Sequence, residues 1–289
     1  MISLDAATVL LQWATGGLLF LWVTTRRREV GIGYGWLLRA VYAVLAVGAA
    51  AVGGIVDLVP VRDAASVGAA LAATVALAVS IVRRKAGVAG ERARRDRKAA
   101  RVAAMAGTAG EDAPTPEPAP PSVAVHEFPP ALDLIAPVLG VIGLVGAGMA
   151  AGGPDALAVA RTLAGALFLG AVSDAMLLGH WYLVQPGLGR APLLELNRWL
   201  ALTWPLEVGL LLWPTGMLSV LAGTVDDGWD GTLGWFWVAC AVTTLVLTGV
   251  TQAALRERAY SAVMAATGLL YLAILTAFGT DLVARAVLA

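Results

Sequence analysis

Residues 156–184 read ALAVARTLAGALFLGAVSDAMLLGHWYLV, and this stretch determines the class of fold. At a helical rise of about 1.5 Å per residue, it is long enough to cross the roughly 30 Å hydrocarbon core of a bilayer. Its apolar residues follow one another without the strict alternation of a barrel strand. The stretch therefore predicts a transmembrane α-helix.

The composition of the whole chain agrees with this prediction. Of its 289 residues, 59% are hydrophobic and 14% are charged, whereas a soluble domain has about 25% charged residues. Twenty Lys and Arg residues balance twenty Asp and Glu residues, which argues against a nucleic-acid partner. The single cysteine excludes an intrachain disulfide and a cysteine-based metal centre.

Eight stretches are long and apolar enough to cross a bilayer. We predict spans at 7–25, 35–56, 64–82, 131–151, 156–184, 193–220, 233–255 and 261–283. The sixth contains Pro205 and Pro214, so it is either one kinked helix or two pieces. The expected fold is an all-α, polytopic integral membrane helical bundle of about eight transmembrane helices.

The basic residues predict the orientation of these spans. With the amino terminus outside, all but three of the twenty Lys and Arg residues fall on the inner side, the exceptions being Arg62, Arg161 and Arg285. Cytoplasmic loops hold an excess of Lys and Arg. We therefore expect a multi-pass plasma-membrane protein with both termini outside.

One long segment, 83–130, divides the predicted spans into a three-helix part (1–82) and a five-helix part (131–289). Its first half is basic and rich in helix-forming residues, whereas its second half contains seven of the fourteen prolines. We expect the first half to continue the third span as a basic cytoplasmic helix. The second half cannot bury a core, so the segment as a whole is predicted to be a largely disordered cytoplasmic linker. Besides the bilayer itself, anionic lipid headgroups at the basic half are an expected partner.

Ionisable residues at membrane depth identify candidate site residues, because each is costly there unless it is paired or hydrated. Asp174 in the fifth span and Glu207 in the sixth are the deepest carboxylates. His180 follows Asp174 by six residues, so the two side chains should point to different faces of the helix.

Further polar residues are expected near the cytoplasmic interface. Glu195 and Arg198 are three residues apart at the start of the sixth span, which predicts an ion pair. With Asp174 and His180 they indicate a polar cytoplasmic-leaflet site between the fifth and sixth helices. The expected pocket neighbours are Arg39, Asp133 and Trp181.

The sequence contains no GxxxxGK[ST], HExxH or GxSxG motif, so nucleotide hydrolysis, zinc proteolysis and serine hydrolysis lack their signatures. A haem held by two membrane-embedded histidines would need a second one beside His180. No catalytic residue, metal site or cofactor is therefore assigned, and an enzyme is the less favoured class.

Three functions fit these observations. The first is transport or proton and ion conduction, with Asp174, His180, Glu195, Arg198 and Glu207 as substrate or proton pathway residues. The second is a non-catalytic membrane subunit of a larger complex, such as a quinone-linked redox complex, which would bring a membrane-protein partner. The third is a structural or assembly factor.

Overall fold

The computed structural model describes residues 5–105, 127–152, 155–185, 187–214, 216–257 and 259–288. Within these ranges the regular structure is entirely helical. The first helices are α1 (Ala6–Thr25), α2 (Ile32–Val56), α3 (Pro60–Val82), α4 (Arg84–Met105) and α5 (Ile135–Ala150), with a 3-10 turn (Pro130–Leu134) leading into α5. The remaining helices are α6 (Asp155–Val184), α7 (Ala191–Leu212), α8 (Met217–Leu221), α9 (Thr232–Arg256) and α10 (Tyr260–Val287).

Among the described residues, seven helices are long and apolar enough to cross a membrane, and they coincide with seven of the predicted spans. Their ends differ from the predicted ends by about one helical turn at most. These helices give the chain the architecture of a multi-pass membrane protein.

The helix α7 has the length of a span but is more polar than the other seven, since it contains Glu195, Arg198 and Glu207. It does not reach the end predicted for the sixth span. The helix stops at Leu212, the Trp213–Pro214 peptide bond is cis, and α8 follows as a separate short helix. The sixth predicted span is therefore two pieces, whereas Pro205 lies inside α7 without ending it.

Successive long helices run in opposite directions between two ends of the bundle. We call the end at which α1 begins and α10 finishes the terminal end, and the opposite end, where α4 begins, the linker end. Contacts between loops and helix ends agree with this arrangement. Arg62 at the start of α3 pairs with Asp5 before α1, and Arg26 after α1 pairs with Glu195 in the first turns of α7.

The helices pack in two groups of four. In the first group, α1, α2, α3 and α5 contact one another in ring order, and in the second, α6, α7, α9 and α10 do the same. The groups meet where α6 contacts α1 and α5. The division of the chain at 83–130 into a three-helix and a five-helix part stays a prediction, and the described helices on its two sides are in contact, as α3 and α5 are.

The basic half of the 83–130 segment forms α4, which begins directly after α3. This half is thus helical, and the side of the membrane on which α4 lies stays a prediction. Most of the proline-rich half, residues 106–126, lies outside the described residues. The chain returns at Glu127, whose carboxylate contacts Arg28 and Arg94 at the linker end.

An aspartate orders the loop that precedes α9 at the terminal end. The two carboxylate oxygens of Asp227 accept hydrogen bonds from the backbone amides of Trp229, Gly231, Leu233 and Gly234 at 2.9–3.2 Å. Partial burial raises the pKa of Asp227, but these four donors outweigh that effect and hold the pKa below its ordinary value. Asp227 thereby satisfies amide groups at the start of α9 that have no partner within the helix.

The two groups of helices touch through backbone at a crossing of glycines. A β-carbon added to Gly170 of α6 would lie 2.2 Å from the carbonyl carbon of Gly16 in α1, and one added to Gly16 would lie 1.8 Å from the carbonyl oxygen of Ala166. Small residues of this kind allow membrane helices to approach closely. We refer to Gly16, Ala166 and Gly170 as the glycine crossing.

Replacing Gly170 with alanine tests whether the crossing determines stability. Because the added carbon would meet the Gly16 backbone, which cannot rotate away, we expect Gly170→Ala to lower the free energy of unfolding by about 1–3 kcal/mol. Thermal unfolding of the detergent-solubilised protein measures this loss. The control is Gly249→Ala in α9, where an added carbon would meet nothing within 4 Å. Equal unfolding midpoints for the two variants would contradict a tight crossing.

Candidate functional site

Four ionisable side chains are buried together near the terminal end. Arg161 in α6, Glu207 in α7, and Asp281 and Arg285 in α10 are each at most 1% exposed. We call these four residues the terminal charge cluster. Two positive and two negative side chains balance in formal charge, as is expected of ionisable groups held inside a membrane protein.

Contacts within the cluster connect α6, α7 and α10. Arg285 Nε and Asp281 Oδ2 are 2.8 Å apart, one helical turn along α10. Arg161 Nε donates to the carbonyl oxygen of Leu210 at 2.8 Å. Asp281, Arg285 and Arg161 all act electrostatically on Glu207. The carboxyl group of α7 therefore lies among charges from both neighbouring helices.

The helix α1 adds an amide to this cluster. Gln12 Nε2 donates to the carbonyl oxygen of Thr162 at 2.7 Å. A β-carbon on Gly165 would lie 2.6 Å from Gln12 Nε2 and 2.7 Å from Asp281 Oδ1. The missing side chain of Gly165 is thus what allows Gln12 and Asp281 to lie together against α6.

Several polar atoms of this region are buried without a hydrogen-bond partner among the described residues. The donors are both terminal nitrogens of Arg161, and the acceptors are both carboxylate oxygens of Glu207, Oδ1 of Asp281 and Oε1 of Gln12. Unsatisfied buried donors and acceptors are costly, and ordered water is the usual partner of such groups. The terminal charge cluster therefore has hydrogen-bonding capacity that the described residues do not use.

A second buried carboxyl group lies between the glycine crossing and the linker end. Asp174 of α6 is fully buried and accepts a short hydrogen bond from the Tyr42 hydroxyl of α2 on Oδ1, while Oδ2 has no donor among the described residues. Tyr42 reaches this position because α1 has a glycine there. A β-carbon on Gly17 would overlap the Tyr42 ring at 2.0 Å.

The predicted neighbours Arg39 and Asp133 form a buried ion pair of their own at the linker end. Arg39 Nε and NH2 meet the two oxygens of Asp133 at 2.7 and 2.6 Å. The Phe128 ring lies 4.4 Å from the Arg39 guanidinium carbon, and the Ser80 hydroxyl accepts from Arg39 NH1 at 3.5 Å. This geometry is bidentate and desolvated, which is the strong form of such a pair.

The other predicted residues contact different partners. His180 is exposed, and its Nδ1 is 3.0 Å from the Tyr271 hydroxyl of α10. Trp181 donates to Gln185 at 3.0 Å, and its ring centroid is 6.0 Å from that of Tyr34. Asp174 therefore faces α2 whereas His180 faces α10, as their six-residue spacing predicts.

The predicted ion pair between Glu195 and Arg198 is wrong. The Glu195 oxygens contact Arg26 at 2.6 Å and Arg27 at 3.1 Å, both in the segment after α1. Arg198 is exposed and has no ion pair among the described residues. Salt bridges to the segment after α1 therefore take the place of the predicted pair within α7.

The contacts described above separate the proposed cytoplasmic-leaflet cluster into several groups. Asp174 contacts α2, His180 contacts α10, Glu195 contacts the end of α1, and Arg39 pairs with Asp133. Glu207 belongs to the opposite end, in the terminal charge cluster.

Sequence reasoning missed six members of these sites: Gln12, Tyr42, Arg161, Gly165, Asp281 and Arg285. A local signal existed for Arg285, which follows Asp281 by four residues and shares its helix face. No local signal exists for Tyr42 or Gln12, whose partners lie on helices far along the chain. Within the described ranges, no three His, Cys, Asp or Glu residues are grouped so that they could hold a metal ion.

Comparison with known proteins adds no relative. No protein-family model, curated protein or solved structure matches this chain.

The Arg39–Asp133 pair predicts a large loss of stability when one partner is removed. Asp133→Asn leaves the Arg39 charge buried without its counter-ion, so we expect a loss of about 3–5 kcal/mol in the free energy of unfolding. Thermal or denaturant unfolding of the detergent-solubilised protein measures this loss of free energy. As a matched control, Glu91→Gln removes the solvent-exposed pair with Arg95 in α4 and should cost less than about 1 kcal/mol. Similar losses for both variants would contradict the structural role of the buried pair.

Proposed function

We propose that this chain is an eight-span plasma-membrane protein that moves protons across the bilayer, alone or coupled to a solute. The supporting observation is the presence of open carboxylate oxygens deep inside the bundle. Both oxygens of Glu207 and Oδ2 of Asp174 are buried with no hydrogen-bond donor among the described residues. Carboxyl groups inside membrane bundles characteristically mark ion and proton pathways.

The chemistry of these groups suits proton transfer. A carboxylate oxygen without a donor accepts a proton, and two adjacent carboxyl groups can hold one proton between them. Glu207 and Asp281 provide such a neighbouring pair. Arg161 and Arg285 balance the charge of the pair when neither carboxyl is protonated. Uptake of a proton then leaves the cluster with one net positive charge, which favours the onward release of that proton.

The two carboxyl sites lie on opposite sides of the glycine crossing. Thirteen residues of α6 separate Arg161 from Asp174, which is about 20 Å at helical rise. Gly170 lies between them in the sequence, and its backbone contacts Gly16. In this arrangement the crossing excludes water between the two sites. Proton passage would then require the two four-helix groups to move relative to each other, as in transporters whose halves move around a fixed site.

Proton flux into vesicles tests this function. The purified protein would be reconstituted with a pH-sensitive dye inside the vesicles, and a potassium diffusion potential would drive protons inward. We expect the wild type to acidify the interior faster than protein-free vesicles. Asp174→Asn and Glu207→Gln should abolish this excess flux, because an amide cannot take up and release a proton.

The matched control is Asp155→Asn, which makes the same change at an exposed position in the first turn of α6. This variant should conduct like the wild type. The proposal is wrong if the Asp174 and Glu207 variants conduct protons as fast as the Asp155 variant. It is also wrong if vesicles with the wild-type protein acidify no faster than protein-free vesicles.

We also propose the orientation that the basic residues indicate, with both termini outside and the 83–130 segment in the cytoplasm. The helix α7 then serves as the eighth span, because Glu195 and Asn197 have partners within the bundle and Glu207 lies among the other residues of the terminal charge cluster. Single cysteines introduced in α4 and near Asp226, in a Cys240→Ser background, report the two sides. An impermeant thiol reagent added to intact cells should label the position near Asp226 and spare α4, and the reverse labelling would overturn the orientation.

One contact favours the second candidate function, a membrane subunit of a quinone-linked complex. His180 and Tyr271 are hydrogen-bonded to each other on the outer surface of α6 and α10, where they are exposed. An imidazole and a phenol at such a surface could contact a quinone carbonyl or a partner helix. This function does not use the buried carboxyls, so unchanged flux in both carboxyl variants would favour it over proton transport.

A further inference from the structure

A groove opens at the linker end where α4 leaves the bundle beside the first turns of α2. Its space is about 650 Å³, part of which is open to solvent. Ile32 and Trp36 line it from α2, and Val88 with three basic residues lines it from α4. The basic residues are Arg84, Lys85 and Arg92. The groove therefore combines an apolar wall with a positively charged one.

The charge of this groove is uncompensated. Arg84, Lys85 and Arg92 are exposed, and none of them forms an ion pair with the acidic residues of the described chain. Other arginines at the linker end do have acidic partners: Arg26 and Arg27 contact Glu195, Arg28 and Arg94 contact Glu127, Arg39 contacts Asp133, and Arg95 contacts Glu91. Three positive charges without an acidic partner among the described residues thus lie side by side in this groove.

The helical repeat explains why these side chains converge. Arg84, Val88 and Arg92 are four residues apart on one face of α4, and Ile32 and Trp36 are four apart on one face of α2. The Trp36 ring is oriented by a hydrogen bond of 3.0 Å from its nitrogen to the Ser80 hydroxyl. Two helix faces with fixed positions therefore form the two walls of the groove.

The groove lies at the level where apolar helices give way to a charged one. The helix α3 ends at Val82 and α4 begins at Arg84, so the basic residues are next to the end of a membrane-spanning helix. At this level phosphate groups of lipids meet water, and basic side chains gain about 1 kcal/mol each from anionic lipid.

We propose that the groove between α2 and α4 binds the phosphate-bearing headgroup of an anionic lipid. The guanidinium groups of Arg84 and Arg92 with the Lys85 ammonium contact the phosphate oxygens, and Ile32, Trp36 and Val88 pack against the glycerol and the first methylenes of an acyl chain. A soluble phosphate would use the basic wall alone. The apolar wall is the reason for preferring a lipid. This site is independent of proton movement.

Lipid binding to the purified full chain tests the site. Native mass spectrometry of the detergent-solubilised protein would count bound short-chain phosphatidylglycerol over a titration, with phosphatidylcholine as the neutral comparison. We expect saturable binding of one phosphatidylglycerol to the wild type. The double variant Arg84→Gln with Arg92→Gln should weaken this binding by about tenfold or more, and both positions are exposed, so folding should be retained.

The matched control is Arg95→Gln with Arg97→Gln, which removes the same charge from the same helix at residues that do not line the groove. It should change the affinity by less than about twofold. Equal losses of lipid affinity in the two double variants would show that the lipid is attracted to the charge of α4 as a whole. That result would contradict a binding site in the groove. A titration with inorganic phosphate distinguishes a lipid headgroup from free phosphate as the ligand. If phosphate alone displaces the lipid, and its binding depends on Arg84 and Arg92 to the same extent, the lipid assignment is wrong.

Discussion

Backbone contact between α1 and α6 is the constraint on which the rest of the bundle depends. Lipid provides little hydrophobic driving force between helices, so association requires close packing and hydrogen bonds. Gly16 and Gly170 allow that approach, and α2, α3 and α5 then surround α1 while α7, α9 and α10 surround α6. Gln12 can donate to Thr162, and Trp13 to Ser173, only because the two axes are this close. Polar contacts between the two groups therefore follow from the glycines.

The buried charges are arranged unequally along this framework. At the linker end, Arg39 and Asp133 satisfy each other through two short hydrogen bonds. At the terminal end, charges balance but several atoms of Arg161 and Glu207 have no direct partner among the described residues. Asp174 accepts from the Tyr42 hydroxyl and has no ion pair within the described part of the chain. A partly satisfied buried network is costly. The proposal of proton movement rests on these incompletely satisfied groups.

Hydropathy along the chain predicted the helices because membrane insertion depends on local composition. It could not predict the site, because a side chain's partner depends on which helices pack together. Arg39 pairs with a residue 94 positions away and Tyr42 with one 132 positions away. Asp281 and Arg285 are the exception, since four-residue spacing indicates a pair within one helix. The same spacing argument failed for Glu195 and Arg198, because Glu195 pairs with Arg26 and Arg27 from the segment after α1.

The helix α7 shows how a helix of lower hydropathy can still pack inside the bundle. Its polar residues lower its hydropathy, yet most of them have partners inside the protein. Glu195 contacts Arg26 and Arg27, Asn197 donates to Thr248 and Gln252, and Glu207 lies among the terminal charges. A polar side chain that is paired within the bundle no longer bears the cost of transfer into lipid. In the eight-span arrangement proposed above, these neighbours stabilise a helix that is more polar than the other seven spans, and it contains the carboxyl group on which proton movement would depend.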